Sequence, residues 1–267
     1  MPYPRAYLYV LGLIGFAVWA FWPSYFSVLG EAPTAFHVHG ITATLWMGLV
    51  AWQAWSIHNR HARLHRLTGK LSFLLIPAFI AGGMMVIESF QMRPGDPFAA
   101  AYGIRLSAID VLALAAFAWL TAGALRHRAD VDLHARYMLA TPLLLLGPIF
   151  ARLCSRYVPG LTITGVEEFP RFVYSTHITQ ALTVIVALIL YSRSRPAGRP
   201  FLIVAAVAAL QSVAFEAAAG VEAWRGLLQA YAGLPTAAII AAGLLIGAVA
   251  VWFGWTRPAA TSPATAA

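Results

Sequence analysis

Eight apolar runs, each close to twenty residues long and set apart by Pro, Gly or charge, are the feature that most limits what this chain can fold into. The hydrocarbon core of a bilayer is about 30 Å thick and a helix rises about 1.5 Å per residue, so a spanning helix needs roughly 20 apolar residues. The runs lie near 6–29, 36–57, 71–90, 105–125, 137–157, 171–191, 201–222 and 233–255. Within lipid every backbone polar group has to be satisfied inside the protein, which makes runs of this length helices. The expectation is an all-α fold: one polytopic transmembrane bundle of about eight helices over residues 1–257. The small, polar stretch 258–267 is expected to be a disordered tail.

Charge is scarce, at 10% of the 267 residues, with 60% hydrophobic, whereas a soluble domain carries about 25% charged residues. A soluble globule of this composition could not cover its apolar surface. The single Cys154 excludes an intrachain disulfide and a CxxC metal or redox site. The first run ends in Phe21-Trp22-Pro23 rather than in a small-residue cleavage site, and so reads as a retained helix.

The net charge of +8 does not point to nucleic acid, because nearly all of it is arginine in short segments between apolar runs. With the N-terminus inside, Arg5, Arg60, Arg63, Arg66, Lys70, Arg126, Arg128, Arg136, Arg193, Arg195, Arg199 and Arg257 face the cytoplasm, 12 of the 18 basic residues. The positive-inside rule therefore predicts N-in and C-in topology, as for a multi-pass protein of a bacterial inner membrane. Expected partners are membrane lipids, a lipophilic small molecule and, as an open alternative, a second copy of the chain.

Two segments share a layout. A basic Gly turn (Arg66 to Lys70, Arg195 to Arg199) leads into Phe73-Leu74 or Phe201-Leu202, and the same spacing then reaches Glu88 or Glu216 near the far end of the helix. Each turn follows a helix with a histidine near its outer start, His39 or His177. The pattern allows a 4+4 parallel repeat of the kind found in transporters.

Chemistry is expected at the ionisable residues inside the runs. Asp110, His177 and Glu216 lie roughly 8–10 Å below the outer boundary at the helical rise. A charge at such depth costs about 2.5–3.5 kcal/mol on insertion scales, and the usual remedy is an interior position beside a partner. His39, Glu88, His177 and Glu216, with Asp110 nearby, thus form a candidate outer-leaflet metal site of imidazole and carboxylate ligands, suited to several transition metals. His39 and His177 are also candidate axial ligands of a b-type haem. Asp110 and Glu216 are the candidate proton acceptors, while Arg152 and Trp46, on the His39–Trp46–Gln53 stripe, are candidate substrate contacts.

A second histidine group, His58, His61 and His65 in HNRHARLHR with His127 and His134, belongs to the cytoplasmic face. It resembles one box of the membrane desaturases, but no HxxHH box accompanies it, and interfacial histidines in a basic loop are the simpler reading. A haem layout using His39, His58, His134 and His177 would be similar to the cytochrome b561 class. The order His39, Trp46, Gln53, His65-Arg66-x-x-Gly69, Asp132-x-His134 and Met138 resembles an uncharacterised family of bacterial membrane proteins; this likeness implies a membrane location and a helical fold.

Three functions follow as expectations. The first is a metal- or haem-dependent membrane oxidoreductase acting on a lipophilic small molecule. The second is a proton-coupled carrier in which the same acids and histidines titrate, and the third a non-catalytic assembly subunit. No GxGxxG, P-loop or CxxCH motif is present.

Overall fold

The computed structural model describes residues 3–93 and 95–257 and is all-helical across them, without strands. The tail at 258–267 lies outside the described residues. In chain order the helices are α1 (Ala6–Phe21), α2 (Thr34–His58), α3 (Ala62–Gly69), α4 (Ser72–Gln91), α5 (Pro97–Arg126), α6 (Val131–Ala140), α7 (Leu146–Tyr157), α8 (Pro170–Ser192), α9 (Arg199–Ala217), α10 (Glu222–Ala232) and α11 (Thr236–Thr256). A 3-10 turn at Pro142–Leu145 joins α6 to α7 as one bent span.

Six segments are long and apolar enough to cross a membrane: α4, α5, the bent span Val131–Tyr157, α8, α9 with its terminal turn, and α11. At 16 residues α1 is apolar but shorter, whereas α2 has the length but carries His37, His39 and Gln53 in its sequence. With the bent span counted once, the described residues hold ten helices rather than the eight expected. The additional two are α3 and α10, short amphipathic helices with mixed polar and apolar sequences that contain no apolar run.

Local chemistry explains several boundaries. Asp96 Oδ1 accepts hydrogen bonds from the backbone N–H groups of Phe98 (2.9 Å) and Ala99 (3.1 Å), and Pro97 occupies the first helical position. This cap starts α5 eight residues before its apolar run. Asp130 caps α6 in the same way through Asp132 and Leu133.

Helices α1, α2, α4, α5, α9, α8 and α7 pack in that order, and α7 returns to α1 to close a ring. One end of the ring is occupied by α6, against α5 and α9, while α10 lies against α4. Outside the ring, α11 fills the groove between α4 and α5. Helix α11, the last of the second half, packs on α4, as α5, the last of the first half, packs on α9.

Small residues set the closest contacts. A Cβ added to Gly247 would stand 2.3 Å from Pro77 Cα, and one on Gly243 2.5 Å from Ala81 Cα, so α11 lies backbone to backbone on α4. Gly82 and Gly83 do the same for two other neighbours: an added Cβ would be 3.0 Å from His39 Cα on α2 or 2.6 Å from Leu114 Cδ2 on α5. Beside the bend, Gly147 faces the buried Gln180 amide, with 3.3 Å between its virtual Cβ and Gln180 Nε2.

The α7–α8 connection is held by Glu168, which accepts from the Thr164 backbone N–H and hydroxyl on one oxygen and from Arg171 on the other. The Thr164 backbone bond first, then its hydroxyl and Arg171, lower the Glu168 carboxyl to about 2. A depressed carboxylate stabilises the fold above its unfolded value and loses that contribution as pH falls through the folded one. Protection of the Thr164 and Gly165 amides against exchange should therefore hold at neutral pH and fall progressively from the ordinary carboxylate value of 4.5 down to about 2, and Glu168→Gln should lower it at neutral pH. For the seam, Gly247→Val should destabilise by about 1–3 kcal/mol or more through overpacking. A thermal melt of the detergent-solubilised protein reads the loss; Gly12→Val, where a Cβ would meet nothing within 4 Å, should leave the midpoint unchanged.

Candidate functional site

Ring closure brings together residues from three helices far apart in sequence. His39 on α2, Asp110 on α5 and Arg152 on α7 are each partly buried, with the Arg152 guanidinium in Coulombic range of both His39 and Asp110. Arg152 is anchored by donating from Nη1 to Pro148 O at 2.9 Å and by lying 4.2 Å from the centroid of the Phe21 ring on α1. His39 packs against Phe79 at 5.2 Å between ring centroids, and its Nδ1 is buried without a hydrogen-bond partner. None of the ion pairs within 4 Å among the described residues uses Asp110 or Arg152. Arg152 thus stands within electrostatic reach of a carboxyl on one helix and an imidazole on another, and no ion pair within 4 Å locks it to either.

His177 and Glu216 are also neighbours, but elsewhere. His177 Nε2 lies 2.6 Å from Glu216 Oε1, and its Nδ1 lies 2.7 Å from Ser212 Oγ. Arg105 Nη1 approaches Glu216 Oε2 at 3.5 Å. The pair sits on the outer flank of α8 and α9, with side-chain exposures of 35% for His177 and 49% for Glu216. The interior cavity expected to hold both these residues and His39 is therefore not formed; a hydrogen-bonded cluster on the flank satisfies them instead.

Glu88 belongs to a third environment. Buried at the end of α4, it accepts a 2.7 Å bond from the Thr236 hydroxyl in the first turn of α11, where the helix dipole favours a negative charge. The four expected metal ligands thus stand in three separate places. Among the described residues no three His, Cys, Asp or Glu side chains lie close enough to hold a metal ion.

Trp46, expected as a substrate contact, is 1% exposed, donates from Nε1 to Thr141 Oγ1 at 2.9 Å and packs edge-on against Phe117. It is a core residue joining α2 to the bend.

At the opposite end from the His177 cluster, the histidines separate into distinct roles. His61 packs on Trp55, His127 stacks on Tyr137, and the rings of His65 and His134 approach to 6.3 Å. His134 Nδ1 donates to Ala124 O at 2.8 Å. In the amide orientation that satisfies its surroundings, Gln53 accepts from the Gly69 N–H at 3.0 Å and donates to His65 Nδ1 at 2.6 Å and to His65 O at 3.0 Å. Burial holds the His65 imidazole below its usual range, with Arg66 acting in the same direction and the Gln53 backbone opposing. The residues Gln53, His65, Gly69 and His134, read from sequence as one dispersed pattern, are thus one cluster that ties α3 and α6 to α2. The signal was in their order, but not the pairing across helices.

No family model, curated protein or solved structure matches this chain.

The Trp46 assignment can be tested through its acceptor. Thr141→Val leaves the indole N–H buried and unpartnered, which costs about 1–3 kcal/mol. The expected result is a lower thermal midpoint with unchanged lipid and small-molecule binding; a change in ligand binding at constant stability would restore Trp46 to the site.

Proposed function

We propose that this protein is a proton-coupled membrane carrier for a lipophilic small molecule, with His39, Asp110 and Arg152 as its central site. The observation that carries the reading is the buried, unpartnered His39 Nδ1 together with an Arg152 guanidinium in reach of both His39 and Asp110 and no ion pair that would fix their charges. An ionisable residue inside a membrane protein marks an ion or substrate pathway by default, because its placement is costly. In this reading Asp110 takes up and releases the proton. Arg152, always charged, attracts an anionic group of the substrate, and the unpartnered His39 Nδ1 hydrogen-bonds it.

Topology completes the proposal. Helices α1 and α2 cross together with the six longer apolar segments, both termini face the cytoplasm as the arginine distribution favours, and the membrane is a bacterial inner membrane. The oxidoreductase reading needs His39 and His177 beside a common metal or haem, and their separate surroundings remove its main support.

The test follows the proton. Lowering the pH across purified protein in lipid should produce an infrared band of a newly protonated carboxyl that Asp110→Asn removes. Proteoliposomes loaded with a pH-sensitive dye and given lipophilic organic acids should acidify faster than empty liposomes, and Asp110→Asn should return them to that background. A carboxyl band unaffected by the substitution would overturn the role of Asp110. A Soret band or bound transition metal that His39→Ala removes would return the site to redox chemistry.

A further inference from the structure

The cluster on the α8–α9 flank is unusual in its charge balance. A carboxylate only accepts hydrogen bonds, so His177 Nε2, 2.6 Å from Glu216 Oε1, carries a proton, and His177 Nδ1 can accept from the Ser212 hydroxyl at 2.7 Å. Ser212 turns its hydroxyl toward the imidazole, whereas Ser107, Ser155 and Ser175 bond back to their own helices. Both ring nitrogens are therefore satisfied within the cluster, and Arg105 supplies the permanent cation beside Glu216. Its one contact there is long, at 3.5 Å, and the guanidinium otherwise lies 5.4 Å from the Phe215 centroid. The flank thus presents one cation and one anion side by side, each with unused hydrogen-bonding capacity.

Around this pair the surface is apolar. On the face of α8 that carries His177, Ile185 and Leu188 are exposed, at 54% and 44%, and beside Glu216 α9 exposes Val213, at 64%. Residues 177, 181, 185 and 188 recur at helical spacing, so an apolar track runs along α8 below the charged head. His177 lies two turns from the start of α8 and Glu216 beside the end of α9, so the charged head is near the membrane surface.

We propose that this flank binds the headgroup of a zwitterionic primary-amine phospholipid, with the ammonium at Glu216, the phosphate at Arg105 and the acyl chains along the apolar track. Charge complementarity selects the occupant. A guanidinium suits phosphate through paired N–H donors, and an ammonium supplies N–H donors to a carboxylate that a quaternary amine lacks. The site is independent of the carrier reading, since none of its residues belongs to the His39–Asp110–Arg152 cluster.

Native mass spectrometry of the full chain, released from micelles containing phosphatidylethanolamine and phosphatidylcholine of identical acyl chains, tests it. Wild type should retain the primary amine about tenfold better, as expected for one charge-assisted hydrogen bond. Glu216→Gln should bring the ratio close to one, and Arg105→Gln should lower retention of both lipids. Should Glu216→Gln fail to fold, stepwise N-methylation of the headgroup offered to wild type should lower retention at each step. Equal retention of the two lipids by wild type, or a preference unmoved by Glu216→Gln, overturns the proposal. So does a dimer that Glu216→Gln dissociates, which would assign the flank to a second copy of the chain.

Discussion

Three consecutive small residues on α4, Ala81, Gly82 and Gly83, touch three different helices: α11 through Gly243, α2 at the His39 backbone and α5 at Leu114. Successive residues on a helix point about 100° apart, so one short stretch without side chains lets three neighbours approach one helix closely. In lipid there is little hydrophobic gain in bringing apolar helices together, and close van der Waals contact between small residues takes its place. The ring and the helix outside it both depend on this stretch. So does the position of His39, whose Cα is against Gly82, and of Asp110, one turn before Leu114 on α5.

The molecule handles its membrane-embedded polar groups in two ways. Glu88, Trp46 and Gln53 are each buried against a specific partner on another element, and these pairs act as fixed ties between helices. His39, Asp110 and Arg152 are enclosed without such ties, and their charges respond to one another rather than to a permanent partner. The first kind contributes order, because an unpartnered buried polar group is costly and its partner is therefore specified. The second leaves protonation free to change, as the proposed carrier role requires. On the α8–α9 flank Glu216 follows neither course, since it is paired yet half exposed.

Apolar length marked the six long apolar segments in the sequence because bilayer thickness imposes it directly. It could not reveal α3 and α10, whose stability comes from lying against other helices. Asp110 was legible as a residue out of place in lipid, and His39 and Arg152 as a candidate ligand and a candidate substrate contact, but that Arg152 comes within reach of the other two was not legible. The grouping of His177 and Glu216 with His39 was not, because burial cost says only that a charge needs a partner. It does not say whether that partner lies toward the interior or along the flank. The small residues of α4 and α11 carry no hydrophobic signal, although they determine which helices are neighbours.

The interruption between α6 and α7 divides one span into two short rods. An unbroken helix carries any tilt or rotation along its full length, because each turn is bonded to the next. At Pro142–Leu145 that bonding changes to a 3-10 pattern, and the Gln180 amide from α8 rests beside the start of α7. Arg152 rides on the second rod, while His134, fixed to Ala124, belongs to the first. The guanidinium and the histidine cluster at the other end thus stand on opposite sides of the interruption, within a single crossing of the chain.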